Sequence, residues 1–219
     1  MARSAPGNAA VDAPAGTPTP ASSPEAGSTA QRERRRRILD ATLALASKGG
    51  YDAVQMRTVA DKADVAVGTL YRYFPSKVHL LVTALAREFE RVESKVDRSQ
   101  LRGDNAIDRL RHVLDMITFA MQRDPLLTEA MTRAFMFADA SATAEVDQVA
   151  NIIDRLLANA IVDEGDPTEE DLAIARVLSD VWMSNLVQWL TRRASATDVT
   201  NRLELTVRLL LKDRVKQED

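Results

Sequence analysis

The side chains able to grip a polyanion crowd into one stretch of the chain. Between residues 30 and 77 stand ten Lys/Arg against five Asp/Glu, a balance of +5. Residues 78–219 carry eighteen against twenty-five, a balance of -7, and the first 29 residues carry -1, within a total of -3. A basic segment ahead of an acidic body marks a polyanion-binding module on a larger unit. Its densest part is the run Arg34-Arg35-Arg36-Arg37, read either as an arm on phosphates or the minor groove, with Arg36 as its contact, or as a solvated helix face. Four cations in the first turns of a helix oppose its dipole, which weighs against a purely structural role.

Catalytic chemistry has little to work with. Cysteine is absent, which removes thiol nucleophiles, disulfides and thiolate metal sites, and the two histidines, His79 and His112, are far apart. His79 reads as a surface or interdomain residue and His112 as packing or surface. There is no HExxH, nucleophile elbow, phosphate-cradling Gly-rich loop or metal-ligand spacing, and the carboxylates are scattered. Neither an enzyme nor a bound metal or cofactor is expected. No run approaches ~18 apolar residues and the N-terminus lacks an apolar leader, so a cytoplasmic protein away from membranes is expected.

Two short helices are predicted at Met56–Ala63 and Val67–Tyr73, joined by Asp64-Val65-Ala66. That is the spacing of a helix-turn-helix. Val59 and Ala60 face inward, Ala63 is small enough for close helix approach, and Val65 plugs the gap. Leu70 and Phe74, four apart, anchor the second helix. Gly68 lets a backbone come close, whether protein or phosphate strand. Val67, Thr69, Tyr71, Arg72 and Tyr73 are left for double-stranded DNA. Val67 suits a thymine methyl, and Thr69 a base or phosphate. Tyr73 and Lys77 suit phosphates, and Arg57 is a further candidate.

The stretch Ala63-Asp64-Val65-Ala66-Val67-Gly68-Thr69-Leu70-Tyr71-Arg72-Tyr73-Phe74-Pro75-Ser76-Lys77 resembles the signature of the TetR family of repressors. The resemblance implies an all-α, TetR-like subunit of about nine helices. Three would form the helix-turn-helix DNA-binding domain, and the others a ligand-binding and dimerisation domain. It implies a homodimer through the last two helices, reading a palindromic operator. Gln55 and Ala66 stand where the family has capping hydroxyls, and Asp64 where it has a turn glycine. Each lost cap costs about 0.5–2 kcal/mol. Gln55 is thereby free for another role, such as DNA contact.

Residues 1–29, rich in Ala, Pro, Ser and Gly, read as a disordered tail, 30–77 as the DNA-binding domain and 78–219 as the ligand and dimer domain. The first helix is predicted at Gln31–Ser47, stopping at Gly49-Gly50. Ser76 caps a helix to Val96, a loop with Gly103 follows, and helix five spans Asn105–Gln122. Asp124-Pro125 opens helix six, which runs to Phe137. Ser141 caps helix seven to Val162, Thr168 opens helix eight to Arg193, and Ala196 or Thr197 opens helix nine to Lys212.

The segments Met121–Val149 and Ala175–Val199 are similar to the steroid-catabolism branch of the same family. That similarity implies release from DNA by a CoA thioester of a cholesterol-derived acid. Another hydrophobic effector, an acyl-CoA or an exported drug, is the alternative. Met116, Phe119, Met131, Phe135, Trp182, Met183, Leu186 and Trp189 are the candidate pocket lining, against the plain reading of such residues as core. Arg123, Arg133, Arg192 and Arg193 are candidate partners for CoA, against simple exposure. Helix eight carries no charge from Val181 to Thr191, which implies burial on more than one side.

Overall fold

A computed structural model describes residues 24–96, 101 and 103–212. Among the described residues there are nine α-helices and no strand. They are α1 (Pro24–Ala53), α2 (Met56–Ala63), α3 (Val67–Tyr73), α4 (Lys77–Glu93), α5 (Ala106–Arg123), α6 (Pro125–Met136), α7 (Thr143–Ile161), α8 (Glu169–Leu190) and α9 (Ala196–Leu210).

Helix α1 corrects the reading of residues 1–29 as a tail. Residues 1–23 lie outside the described residues, but the chain is helical from Pro24. Pro24 stands at the first helical position, where its missing N–H and fixed φ are no penalty. At the other end the helical path breaks where the glycines predict, with Gly49 at φ -151 and Gly50 at φ 64. The Cβ that any other residue would carry at position 50 would stand 3.1 Å from a Glu129 oxygen.

The helix-turn-helix has the predicted bounds. Asp64 takes the left-handed conformation, φ 53, that closes α2. Asp tolerates that region through its short polar side chain. Gln55 and Ala66 occupy the N-cap positions of α2 and α3 without a side-chain capping bond. Val59, Ala60, Ala63, Leu70 and Phe74 are all buried, and Val65 packs partly buried against the core. A Cβ at Gly68 would meet no atom within 4 Å, so no protein backbone approaches there and only the DNA side of that expectation stands.

One cap assignment is corrected. Ser141 does not cap α7; it lies in a 3-10 turn, Ala140–Ala142, where the Asp139 carboxylate accepts from both its N–H and its hydroxyl. Carboxylate outcompetes hydroxyl as a local acceptor. Helix α9 opens at Ala196, one of the two predicted starts, with Ser195 as its N-cap in a reciprocal box with Asp198. Thr168 and Asp171 form the same box on α8.

Helix α7 is central, packing on α4, α5 and α8, with α9 against α8 and α5. Its Ile152, Ile153, Leu156 and Leu157 are almost wholly buried. Its C-terminus is closed by Arg109 of α5, whose guanidinium donates to the carbonyls of Ala160 and Ile161 and to Asp163. Helix α4 runs from the end of the helix-turn-helix into the body, and α1 packs along α6.

Candidate nucleic-acid interface and effector cavity

On the helix-turn-helix, Gln55, Arg57, Gly68, Tyr71 and Arg72 are exposed, and Val67, Thr69 and Tyr73 are half-buried. They come from the start of α2 and from α3, so one short loop positions them all. The pattern matches a recognition helix that keeps Leu70 and Phe74 inward and turns the remainder outward. Tyr73 is the most constrained, its ring 6.3 Å from that of Phe74.

Lys77 sits differently from the sequence expectation. Its ammonium lies over the Tyr51 ring, 3.7 Å from the centroid, at the first position of α4. Burial pulls its pKa below the ordinary lysine range, while the Asp52 carboxylate pulls the other way. Arg133 of α6 covers the same ring at 4.4 Å. The Tyr51 N–H donates to Glu129 of α6, 3.2 Å away. Tyr51 is thus held between the DNA-binding head and the body. Nothing in its sequence neighbourhood marks that role; only the chain reversal at Gly50 brings it to α6.

His79 is the second tie between head and body. It is buried, not on the surface, as an interdomain residue. Its Nε2 lies 3.0 Å from the Ser141 carbonyl and its Nδ1 2.9 Å from the Ser76 hydroxyl. A carbonyl only accepts, so Nε2 donates to Ser141 while the Ser76 hydroxyl faces Nδ1. His112 is half-buried on α5.

Arg36 is the site residue most altered by the structure. It donates to both oxygens of Glu33, at 2.6 and 3.0 Å, and lies 3.3 Å from Asp40. The bond from Arg36 holds the Glu33 carboxyl below its ordinary range. Arg87 of α4 reaches Asp40 at 2.9 Å, linking the run to the body.

The body holds an apolar cavity of about 170 Å³. Helix α4 lines it with Leu85, Glu88, Phe89 and Val92, α5 with Ile117, Ala120 and Met121, and α6 with Leu127, Thr128 and Met131, with Asp124 at the corner. Of the eight predicted pocket residues only Met131 lines it. Trp182 belongs to the core instead: it is buried, donates from its indole N–H to the Thr118 hydroxyl at 3.0 Å and stands edge-on to Phe89. Leu186 is equally buried. Phe119 is 63% exposed and stands outside this lining, while Met116 and Trp189 pack half-buried against the core. Phe135 and Met183 line a separate open depression between α6 and α8, shared with Arg193. Helical spacing puts such side chains in a core as readily as in a pocket. The signal that could have found the cavity is the apolar i, i+4, i+7 set Leu85, Phe89, Val92 on the helix leaving the DNA-binding head.

Of the cations considered for CoA, Arg123 and Arg192 are exposed, and Arg133 is held against Tyr51. Among the described residues no group of three or more His, Asp or Glu could hold a metal ion, and no helix is long and apolar enough to cross a membrane.

Residues 38–84 match the model of the bacterial regulatory proteins of the tetR family, and residues 103–210 match a tetracyclin repressor-like C-terminal domain. The chain is 73% identical over 186 residues to the HTH-type transcriptional repressor KstR of Rhodococcus jostii, covering 85% of this chain and 86% of that protein. The fold is similar to that of a TetR transcriptional regulator from Rhodococcus sp. RHA1, with TM-score 0.74 and 32% identity over 84% of this chain and 98% of the other. It is also similar to FadR from Bacillus subtilis, crystallised with stearoyl-CoA, with TM-score 0.57 and 17% identity over 80% and 96%. With a helix-turn-helix on an all-helical body, and repressors rather than enzymes as its relatives, the chain belongs to the TetR family of transcriptional regulators.

Proposed function

We propose that this chain represses sterol-degradation genes as a homodimer on a palindromic operator, and that a hydrophobic effector, a CoA thioester of a cholesterol catabolite, releases it. The observation that carries the reading is the 73% identity to KstR across nearly the whole described chain. The protein would work in the cytoplasm and need no cofactor beyond the effector.

Three structural features support it. The exposed face of α2 and α3 carries Arg57, Thr69, Tyr71 and Arg72, side chains suited to bases and phosphates. Val177 of α8 and Leu205 and Leu209 of α9 are 49%, 54% and 65% exposed, an apolar face suited to pairing with a second copy through a four-helix bundle. The cavity between α4, α5 and α6 is apolar and lies on the helix that leads to the DNA-binding head. At about 170 Å³ it is smaller than ligand pockets of about 300–1,000 Å³, so a sterol-sized body would have to part its walls. Glu88 and Asp124 on the lining disfavour phosphates there, which supports a reading in which the apolar part of a CoA thioester enters the cavity and its nucleotide stays outside. A protein of this fold at 17% identity holds stearoyl-CoA, so the scaffold can carry such a molecule.

The test is a titration of the protein on duplex DNA recovered by the wild-type chain from a random pool. Thioesters of cholesterol side-chain acids are expected to weaken binding at concentrations where simple acyl-CoAs do not. Release by acyl-CoAs alone would replace the sterol reading with the wider one of a hydrophobic-ligand repressor.

A further inference from the structure

The four arginines from Arg34 to Arg37 occupy four different environments. Arg36 is consumed by Glu33 and Asp40. Arg37 lies 3.6 Å from Asp64 of the turn. Arg35 stands over the Phe74 ring at 5.8 Å. Arg34 forms no ion pair among the described residues. Instead it lines a notch of about 350 Å³ with Gln31, Arg72 and Tyr73. Arg72, in the last turn of α3, also forms no ion pair among the described residues.

No carboxylate lines this notch. Arg34 and Arg72 line one open space; two like charges there repel each other, and an anion between them turns that repulsion into attraction. Arg offers a planar fork of donors matched to phosphate oxygens, and the Gln31 amide and Tyr73 hydroxyl add neutral donors. The place in the fold selects the anion: the notch lies where α1 meets the end of the recognition helix, beside the side chains exposed for DNA.

We propose that Gln31, Arg34, Arg72 and Tyr73 form a site for one phosphodiester of the operator backbone, gripped jointly by α1 and α3, and that Arg34 rather than Arg36 is the DNA contact of the arginine run. The proposal rests on the DNA-binding reading and assigns the contact within it. The site fixes the register of α3 on the duplex without reading a base.

The experiment measures affinity of the full-length protein for a mixed-sequence duplex as a function of salt. Each phosphate contact removed should lower the slope of log affinity against log salt by about 0.9, so a fourfold rise in salt costs about 3.5-fold less binding. Arg34→Ala and Arg72→Ala are each expected to lower the slope by up to that amount, and the double variant by no more than about 0.9 in all, because both side chains serve one phosphate. Arg34→Lys should keep the wild-type slope because it keeps the charge, whereas a purely structural role would not be rescued that way. Arg36→Ala should keep the wild-type slope. A lowered slope for Arg36→Ala with an unchanged one for Arg34→Ala overturns the assignment. If the wild-type chain binds no duplex, it is the DNA-binding reading that fails, and the two failures are thus separate.

Discussion

The Lys77 ammonium lies 3.7 Å from the centre of the Tyr51 ring, joining the first residue of α4 to the chain reversal at the end of α1. Arg133 stands 4.4 Å from the same ring, so a helix that lines the apolar cavity and the start of the helix leaving the helix-turn-helix share one aromatic residue. The two sides of α6 divide the work. Leu127, Thr128 and Met131 line the cavity, while Glu129 and Arg133 hold Tyr51.

Tyr51→Leu keeps an apolar side chain in place and removes the ring face. Loss of the cation–π contacts is expected to cost about 1 kcal/mol, read as a fall in Tm of about 2–4 °C. Lys77→Met should cost less in the Tyr51→Leu background than in the wild type. Additive costs in that double-mutant cycle would show that the two side chains are not coupled. If Lys77 also serves a phosphate from this position, Lys77→Ala should weaken binding to all duplexes alike, and unchanged DNA affinity would leave it the Tyr51 contact alone.

The cavity and the core make opposite predictions for neighbouring large side chains. Met131→Trp fills the apolar space between α4, α5 and α6, and is expected to leave DNA binding intact while abolishing effector release. Trp182→Phe removes the donor to Thr118 in a fully packed position and should cost about 1–3 kcal/mol, with the effector response retained. Loss of effector affinity in Trp182→Phe at unchanged stability would return that residue to the pocket.

How far the sequence carries is clearest from these residues. The helix-turn-helix is legible because its determinants are local: a three-residue turn, an i, i+4 anchor at Leu70 and Phe74, and Pro75 as a stop. The bounds of α2 and α3 follow from those alone. The cavity is not legible, because the periodicity that places Met131 inside places Trp182 inside as well, and only the packing of α4 against α5 and α6 leaves space beside one and none beside the other. The arginine run was legible as a charge and not as a contact. Which of four neighbours stays unpaired depends on Glu33 and Asp40 one turn away, on the ring of Phe74 and on the turn residue Asp64.

Arg109 tests a structural use of charge. Its guanidinium is almost wholly buried and serves the last carbonyls of α7 as well as Asp163. Arg109→Met keeps much of the stem and strands the carbonyls of Ala160 and Ile161. The expected cost is about 3 kcal/mol, or a Tm lower by roughly 6–12 °C, with DNA affinity per folded molecule unchanged. A stability within 0.5 kcal/mol of wild type (about the spread of ordinary surface substitutions) would mean that water replaces the side chain at this helix end.

Gly50 tests the seam itself. At φ 64 and ψ -158 it lies where L-residues are strained, and its missing side chain leaves room for the Glu129 carboxylate. Gly50→Ala is expected to cost about 1–3 kcal/mol. It should also disturb the Tyr51 N–H bond to Glu129, so that its effect on effector release exceeds that of an equally destabilising core variant such as Leu157→Ala. Equal effects at matched stability would reduce Gly50 to a simple chain-reversal residue.

The acid sensitivity of α9 follows from its cap. Asp198 accepts from the Ser195 hydroxyl at 2.7 Å and from the Ser195 N–H at 2.8 Å, and these bonds hold its carboxyl below the ordinary range, the hydroxyl contributing most. A carboxylate whose folded pKa is depressed stabilises the fold above its unfolded value, about 3.9. That stabilisation is lost as pH falls through the lower, folded value. Protonation opens the box at the start of the helix that offers Leu205 and Leu209 for pairing. The proposed dimer should therefore weaken as pH falls below about 3.9, and Asp198→Asn should flatten the acid limb of its stability. Sedimentation across the acid range checks this. Coincident loss of dimer and helix signal, unchanged by Asp198→Asn, would place the weak point elsewhere.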